Sequence, residues 1–346
     1  MDYKQIQINT STPGKPKSKV MIIYTGGTFG MAHDAHGVLV PFDFALILEH
    51  LPALRNLFFE LTVISFNEPI DSSNIQPEHW QMIAKIIFKN YQSHDGFVVL
   101  HGTDTMAYTA SALALMLGPL PKPVVLTGSQ KPIDEVRTDA RQNLIDAALV
   151  ATLAVPEVCI ASGARALRGV RSTKRDAWGF SAFDSPNLPP LVELGIGIEI
   201  GPHVQKAAPL GEFDGRLEPR VLALRVFPGL DPDLVRGAIR LGVRGLVLEA
   251  YGTGTFPNLG GSLIPALEEA RQRGIPVLVV SQCLRGFVEL GRYEGGAAAE
   301  AAGAISGGDM TIEAALAKMM IGLARHGKGD ELRAYLGASV VGERDA

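Results

Sequence analysis

The chain has 346 residues, 47% of them apolar and 20% charged, with a formal net charge of −4. That balance excludes a disordered chain and gives no electrostatic reason to expect nucleic acid or an anionic membrane as partner. The length exceeds one usual core, the 2 cysteines make no disulfide framework, and no run of about 18 apolar residues is present to span a membrane.

Residues 1–18 lack the apolar core of a signal peptide and include Thr, Pro, Gly and Lys. They read as a flexible N-terminal tail whose removal should matter little. Beyond it, Val20–Tyr24, Leu61–Phe66, Gly96–Leu100, Pro123–Leu126 and Glu157–Ala161 are short apolar runs ending near Gly, Ser or Asn, the pattern of buried strands. Helical patterns lie between them at Pro77–Tyr91, Met106–Leu117 and Thr138–Thr152. Such alternation predicts parallel βαβ units. From Gly195 a Gly- and Pro-rich stretch with mixed charge reads as a short hairpin and a connector. The alternation then resumes with VLALRVF, GLVLEAYG and PVLVVSQC, and two helical segments close the chain. The expected fold is two-domain α/β: a doubly wound, mostly parallel sheet over 19–200, a linker over 201–220, and a smaller flavodoxin- or Rossmann-like domain over 221–346.

Ligands of open parallel sheets gather beyond the carboxyl ends of the strands, so the polar residues following each run are the candidates. Thr25-Gly26-Gly27-Thr28 follows the first. Its glycines permit a tight turn with Thr28 as a helix cap, or they hold a hydroxyl up for chemistry. Neither G-x-G-x-x-G nor the P-loop pattern is present, which argues against phosphate binding. His101-Gly102-Thr103-Asp104-Thr105 follows another run and precedes a helix. Capping explains one such polar residue but not four in succession. Asp71-Ser72-Ser73-Asn74 reads equally as a capping cluster, and Lys174 in a basic turn as a solvated lysine. His33 and His36 lack a third metal ligand nearby and read as surface histidines. G-x-S-x-G, H-E-x-x-H and C-x-x-C are all absent.

Taken together, YTGGTFGM, DSSN, HGTDTMAYTASAL, LTGSQKPI, RGVRSTKRDAWGFSAFDSPNLPP, YGTG and SQC resemble, in content and order, the L-asparaginases of the bacterial cytoplasmic type. The similarity runs from about Lys19 to Leu336. It implies an amidohydrolase that turns L-asparagine and water into L-aspartate and ammonia without metal or cofactor, in the cytoplasm, as a homodimer or homotetramer. Thr28 matches the nucleophile, and Thr103, Asp104 and Lys174 match a second catalytic group. Ser72 matches the residue that takes the substrate carboxylate, with Asp71 and Ser73 beside it, while Thr103 and Asp104 also meet the substrate. Tyr293 matches a tyrosine that reaches the neighbouring subunit's site.

Two departures stand out. Val38 occupies the place of a loop tyrosine that contacts the nucleophile in many relatives. Cys283 matches a residue of the inter-subunit asparagine site that activates some members, but Thr255 replaces an asparagine there and Glu249 an arginine. That exchange predicts no activation by asparagine. The rival readings are a glutaminase or mixed amidase, and a non-catalytic amino-acid sensor.

Overall fold

The computed structural model describes residues 3–9, 18–33, 39–41, 51, 54, 57 and 59–345, and the chain divides into one unit up to Phe213 and a second from Asp214.

In the first unit the strands begin with β1 (Tyr3–Asn9) and β2 (Ser18–Tyr24), followed by the short β3 (Met31–His33) and β4 (Leu39–Pro41), which pair with each other. Then come β5 (Phe59–Phe66), β6 (Gly96–Leu100), β7 (Val124–Thr127), β8 (Val158–Ser162) and β9 (Arg165–Arg168). A two-stranded ribbon of β10 (Thr173–Lys174) and β11 (Phe183–Asp184) and a hairpin of β12 (Val192–Leu194) and β13 (Ile198–Ile200) complete it. The large sheet has the order β1-β5-β2-β6-β7-β8-β9-β12-β13. Its centre, β5-β2-β6-β7-β8, is parallel throughout. Numbered among themselves these five run 2-1-3-4-5, the flavodoxin-like order, so the winding reverses between β2 and β6.

Burial explains the apolar runs. All residues of β6 and β7 are buried, as is β2 from Val20 to Tyr24, because helices cover both faces of a parallel sheet. Helix α1 (Pro77–Asn90) starts with proline at its first position and buries Trp80, Ile83, Ala84, Ile86 and Ile87, one stripe at helical spacing. Helix α2 (Met106–Leu117) is buried nearly all round, and α3 (Ala140–Val150) lies between β7 and β8 in sequence.

The N-terminal expectation is corrected. Tyr3–Asn9 is not a loose tail but an antiparallel edge strand, paired residue for residue with β5 from Tyr3↔Phe66 to Asn9↔Glu60. The sequence carried the cue: Gln5-Ile6-Gln7-Ile8 alternates polar and apolar with the period of a strand. The Thr- and Pro-rich residues after it masked that alternation.

The second unit is a parallel sheet in sequential order, β14 (Val221–Arg225), β15 (Gly245–Ala250), β16 (Val277–Ser281) and β17 (Ile305–Ser306). Its helices are α4 (Pro232–Arg240), α5 (Ile264–Gln272), α6 (Glu294–Ala301), α7 (Ile312–His326) and α8 (Asp330–Gly337). Among the described residues no helix is long and apolar enough to cross a membrane.

Candidate active site

The reversal between β2 and β6 leaves a crevice beyond their carboxyl ends, and the two polar loops of the sequence emerge there. They are laced together at once. The Thr25 amide and hydroxyl both donate to Leu100 O, at 3.0 and 2.8 Å. Ile70 N–H donates to Thr25 O at 2.8 Å, which brings in the loop after β5.

The glycine pair between the threonines is required twice over. Gly26 and Gly27 have φ of 132° and 87°, where an L side chain is strained. A Cβ on Gly26 would stand 2.3 Å from Ile70 N, and one on Gly27 2.6 Å from Gly102 Cα and N. Both obstacles are backbone. The turn then delivers Thr28 at the head of a 3-10 turn, Thr28–Gly30, half-buried. Its hydroxyl makes no hydrogen bond among the described residues. Tyr24 closes the turn from below, its phenol donating to Gly30 O at 3.2 Å, and burial pushes that phenol's pKa well up, so it stays a neutral donor.

Ser72 reaches the same place. It is buried in the 3-10 turn Ser72–Asn74, and a Cβ on Gly102 would lie 2.5 Å from its Oγ. Asp71 Oδ1 caps that turn by accepting from Ser73 N–H at 3.0 Å, the capping role read as the alternative, while Ser73 itself faces solvent. Capping fails as an account of the HGTDT loop. Thr105 occupies the N-cap of α2 but makes no side-chain cap bond; its hydroxyl donates to Ser72 O at 2.7 Å instead.

Lys174 arrives on β10 and is not a solvated lysine. Its Nζ donates to Thr103 Oγ1 at 2.8 Å and to Asp104 Oδ1 at 2.7 Å, with the lysine side chain 16% exposed and the aspartate 67%. The second oxygen of Asp104 has no partner among the described residues, which leaves it free for a ligand cation.

Two supports had no role assigned from the sequence. His101 is wholly buried and its pKa is lowered by desolvation to about 4, so the ring is neutral. Nδ1 donates to Gly102 O at 2.7 Å, and Nε2 accepts from the Thr109 hydroxyl at 2.9 Å, which itself accepts from Trp80 Nε1 at 3.0 Å. The chain of bonds fixes the Gly102–Thr103 peptide. Gln130, just beyond β7, accepts from Thr103 Oγ1 at 2.9 Å through Oε1. Asp139 holds Gln130 in place, its carboxylate accepting from the Gln130 and Lys131 amides and from Asn143 Nδ2. Burial raises the Asp139 pKa, and these bonds pull against the rise. Only their position after a parallel strand pointed to these residues.

Thr28, Ser72, Thr103 and Asp104 are thus carried on loops that touch one another, and Lys174 reaches Thr103 and Asp104 from β10. Val38 and His36 lie outside the described residues, and the His33 side chain is likewise undescribed. In the second unit, Tyr293 occupies the N-cap position of α6 without a side-chain cap bond and is 55% exposed. Glu249 sits in β15, with Thr255 and Cys283 beyond the carboxyl ends of the strands. Its carboxylate is not bare, for Arg225 Nη2 pairs with it at 2.8 Å.

Comparison with known proteins assigns the family. Residues 19–206 match the family model described as Asparaginase, N-terminal, and residues 220–336 match the Glutaminase/Asparaginase C-terminal domain. The chain belongs to the asparaginase family. It is 40% identical over 342 residues to L-asparaginase 1 of Escherichia coli (strain K12), covering 94% of this chain and 98% of that protein. A 60 kDa lysophospholipase of Mus musculus is 39% identical over 339 residues, but the match spans 90% of this chain and 60% of the mouse protein. Among solved structures, the thermostable L-asparaginase of Thermococcus kodakarensis superposes with a TM-score of 0.88 at 36% identity, covering 95% of this chain and 99% of that one. The two-domain α/β architecture of the asparaginase family is therefore this chain's fold.

Proposed function

We propose that the protein hydrolyses L-asparagine to L-aspartate and ammonia, with Thr28 as nucleophile. The observation that carries this reading is the Lys174 ammonium bridging Thr103 and Asp104, set against the glycine turn that presents Thr28. A small zwitterion needs an anion site and a cation site at fixed spacing. Ser72, with Asp71 and Ser73 beside it, receives the α-carboxylate, and the free oxygen of Asp104 receives the α-ammonium.

The side-chain amide then lies against Thr28. The Thr28 oxygen bonds to the amide carbon, the C–N bond breaks, and the hydroxyl proton leaves with the nitrogen as ammonia. Water next attacks the resulting ester and restores the Thr28 hydroxyl. A threonine hydroxyl is a weak nucleophile until a neighbouring group takes or orients its proton, the task assigned to Thr103 and Lys174. Backbone N–H groups near Thr103 stabilise the developing oxyanion. Glutamine, longer by one methylene, is the poorer substrate, since such a difference discriminates by about 1–3 kcal/mol.

The same reading places the enzyme in the cytoplasm as a homodimer or homotetramer, with the exposed Tyr293 of one subunit reaching the site of the next. The test is proton NMR of the purified chain with L-asparagine, L-glutamine and a lysophospholipid. Aspartate and ammonia in equal amounts from asparagine, with slower glutamine turnover and an inert lipid, are expected. No product from asparagine, or faster turnover of either other compound, refutes the assignment.

A further inference from the structure

The neighbours of the Thr103 hydroxyl determine where its one proton points. Lys174, paired with the Asp104 carboxylate, has only protons to offer, so it donates to Thr103 Oγ1 at 2.8 Å. Opposite stands the Gln130 carboxamide, 2.9 Å from the same oxygen. Its orientation is settled from behind: Nε2 lies 3.3 and 3.2 Å from Ala177 O and Gly179 O, and carbonyls only accept. The amide nitrogen therefore faces them, and Oε1 faces Thr103. An amide oxygen has no proton to give, so the hydroxyl proton of Thr103 makes that bond.

We propose that Gln130 is a positioning residue for the hydrolysis: it commits the Thr103 proton, so that Thr103 meets the attacking hydroxyl only as an acceptor. The oxygen carries Cβ, a committed proton and one lone pair taken by Lys174, which leaves a single lone pair for a ligand. Such an acceptor draws the nucleophile's O–H toward itself and turns the nucleophile's own lone pairs outward. With the carboxamide gone, the Thr103 hydroxyl is free to rotate and point its proton at the oxygen that must attack.

The same carboxamide tethers the turn bearing Trp178, which Asp176 also holds by accepting from the Trp178 and Gly179 amides at 2.8 and 3.0 Å. Two variants separate the tasks. Gln130→Met loses both, whereas Gln130→Glu keeps an acceptor for Thr103 and loses the donors to Ala177 and Gly179. Trp178 is 94% exposed and Trp80 8%, so acrylamide quenching of tryptophan emission reports the turn.

The kinetic arm rests on the amidohydrolase reading. There, Gln130→Met is expected to lower kcat for asparagine about tenfold, the worth of one directed hydrogen bond, with KM changed less than about twofold. Gln130→Glu is expected to recover most of that kcat while its Trp178 quenches as in the methionine variant. Equal kcat losses in both variants would overturn the proposal and leave Gln130 as a tether alone. A neutron crystal structure of the unliganded protein decides the matter apart from any substrate. A deuteron between Thr103 Oγ1 and Gln130 Oε1 is expected, and one on any other line from Oγ1 overturns the proposal. A wild-type protein inactive on asparagine would refute the function above without touching that result.

Discussion

Gly27→Ala is the substitution that best exposes how the site is assembled. An alanine Cβ at this position stands 2.6 Å from Gly102 Cα and N, whereas ordinary van der Waals contact begins at 3.4 Å, so one of the two loops must retreat by about 0.8 Å. The obstacle is backbone and cannot swing away. Ser72 Oγ fills the space beside Gly102, and His101 Nδ1 holds the Gly102 carbonyl, so the TGGT loop is the one that moves. Displacing a reacting group by about 1 Å costs on the order of a hundredfold in rate. The φ of 87° adds strain of roughly 1–2 kcal/mol to the fold. The expected outcome is a kcat for asparagine about a hundredfold lower or worse, with a melting temperature only several degrees down. Steady-state ammonia release and a thermal melt on the same preparation measure both. A variant with near wild-type kcat would show that Thr28 need not be held against the HGTDT loop, and the reasoning would fail.

Deleting residues 1–9 removes an edge strand that pairs along the length of β5, so the melting temperature should fall by several degrees; an unchanged melt would contradict the pairing. His101 supplies a pH dependence. Its folded pKa of about 4 lies below the ordinary 6.5, so the unfolded chain binds the extra proton first, and the stability is complete above about 6.5 and lost as pH falls toward 4. The loss is roughly 3 kcal/mol, and melts of wild type and His101→Gln at about pH 7 and 4.5 should differ in slope; parallel slopes would refute it. Asparagine saturation should be hyperbolic, because the guanidinium of Arg225 is engaged by Glu249 rather than free for an effector's carboxylate. A sigmoidal curve made hyperbolic by a Cys283 substitution would contradict this.

The parts of the fold legible in the sequence are those where one pattern served one purpose. Continuous apolar runs become parallel strands buried on both faces, and the Pro77 helix shows its stripe. The N-terminal strand was missed because a composition typical of tails follows an alternation of only a few residues. Helix α6 begins Glu294-Gly295-Gly296-Ala297 and has no apolar period to read. At the site, His101–Thr105 stood out because several polar groups stood together where capping needed one, whereas Thr28, Ser72 and Lys174 were given roles only by the family resemblance. Gln130 did not stand out, since it acts through a partner distant in sequence: Thr103 lies 27 residues away. Asp139 and Asn143 serve only to hold that residue and its loop, and no motif marks such a role. The strand order that creates the crevice is likewise a tertiary fact. No local pattern announces that the winding reverses between β2 and β6.

The central claim is that the glycine pair exists to present Thr28 to a substrate amide. Its most direct test is kcat for L-asparagine in Thr28→Ala beside wild type, with circular dichroism and melts to confirm an unchanged fold. Loss of an essential nucleophile usually costs several orders of magnitude, so turnover in the variant should fall about a thousandfold or more. A folded Thr28→Ala protein that keeps more than about a tenth of wild-type kcat would contradict the account.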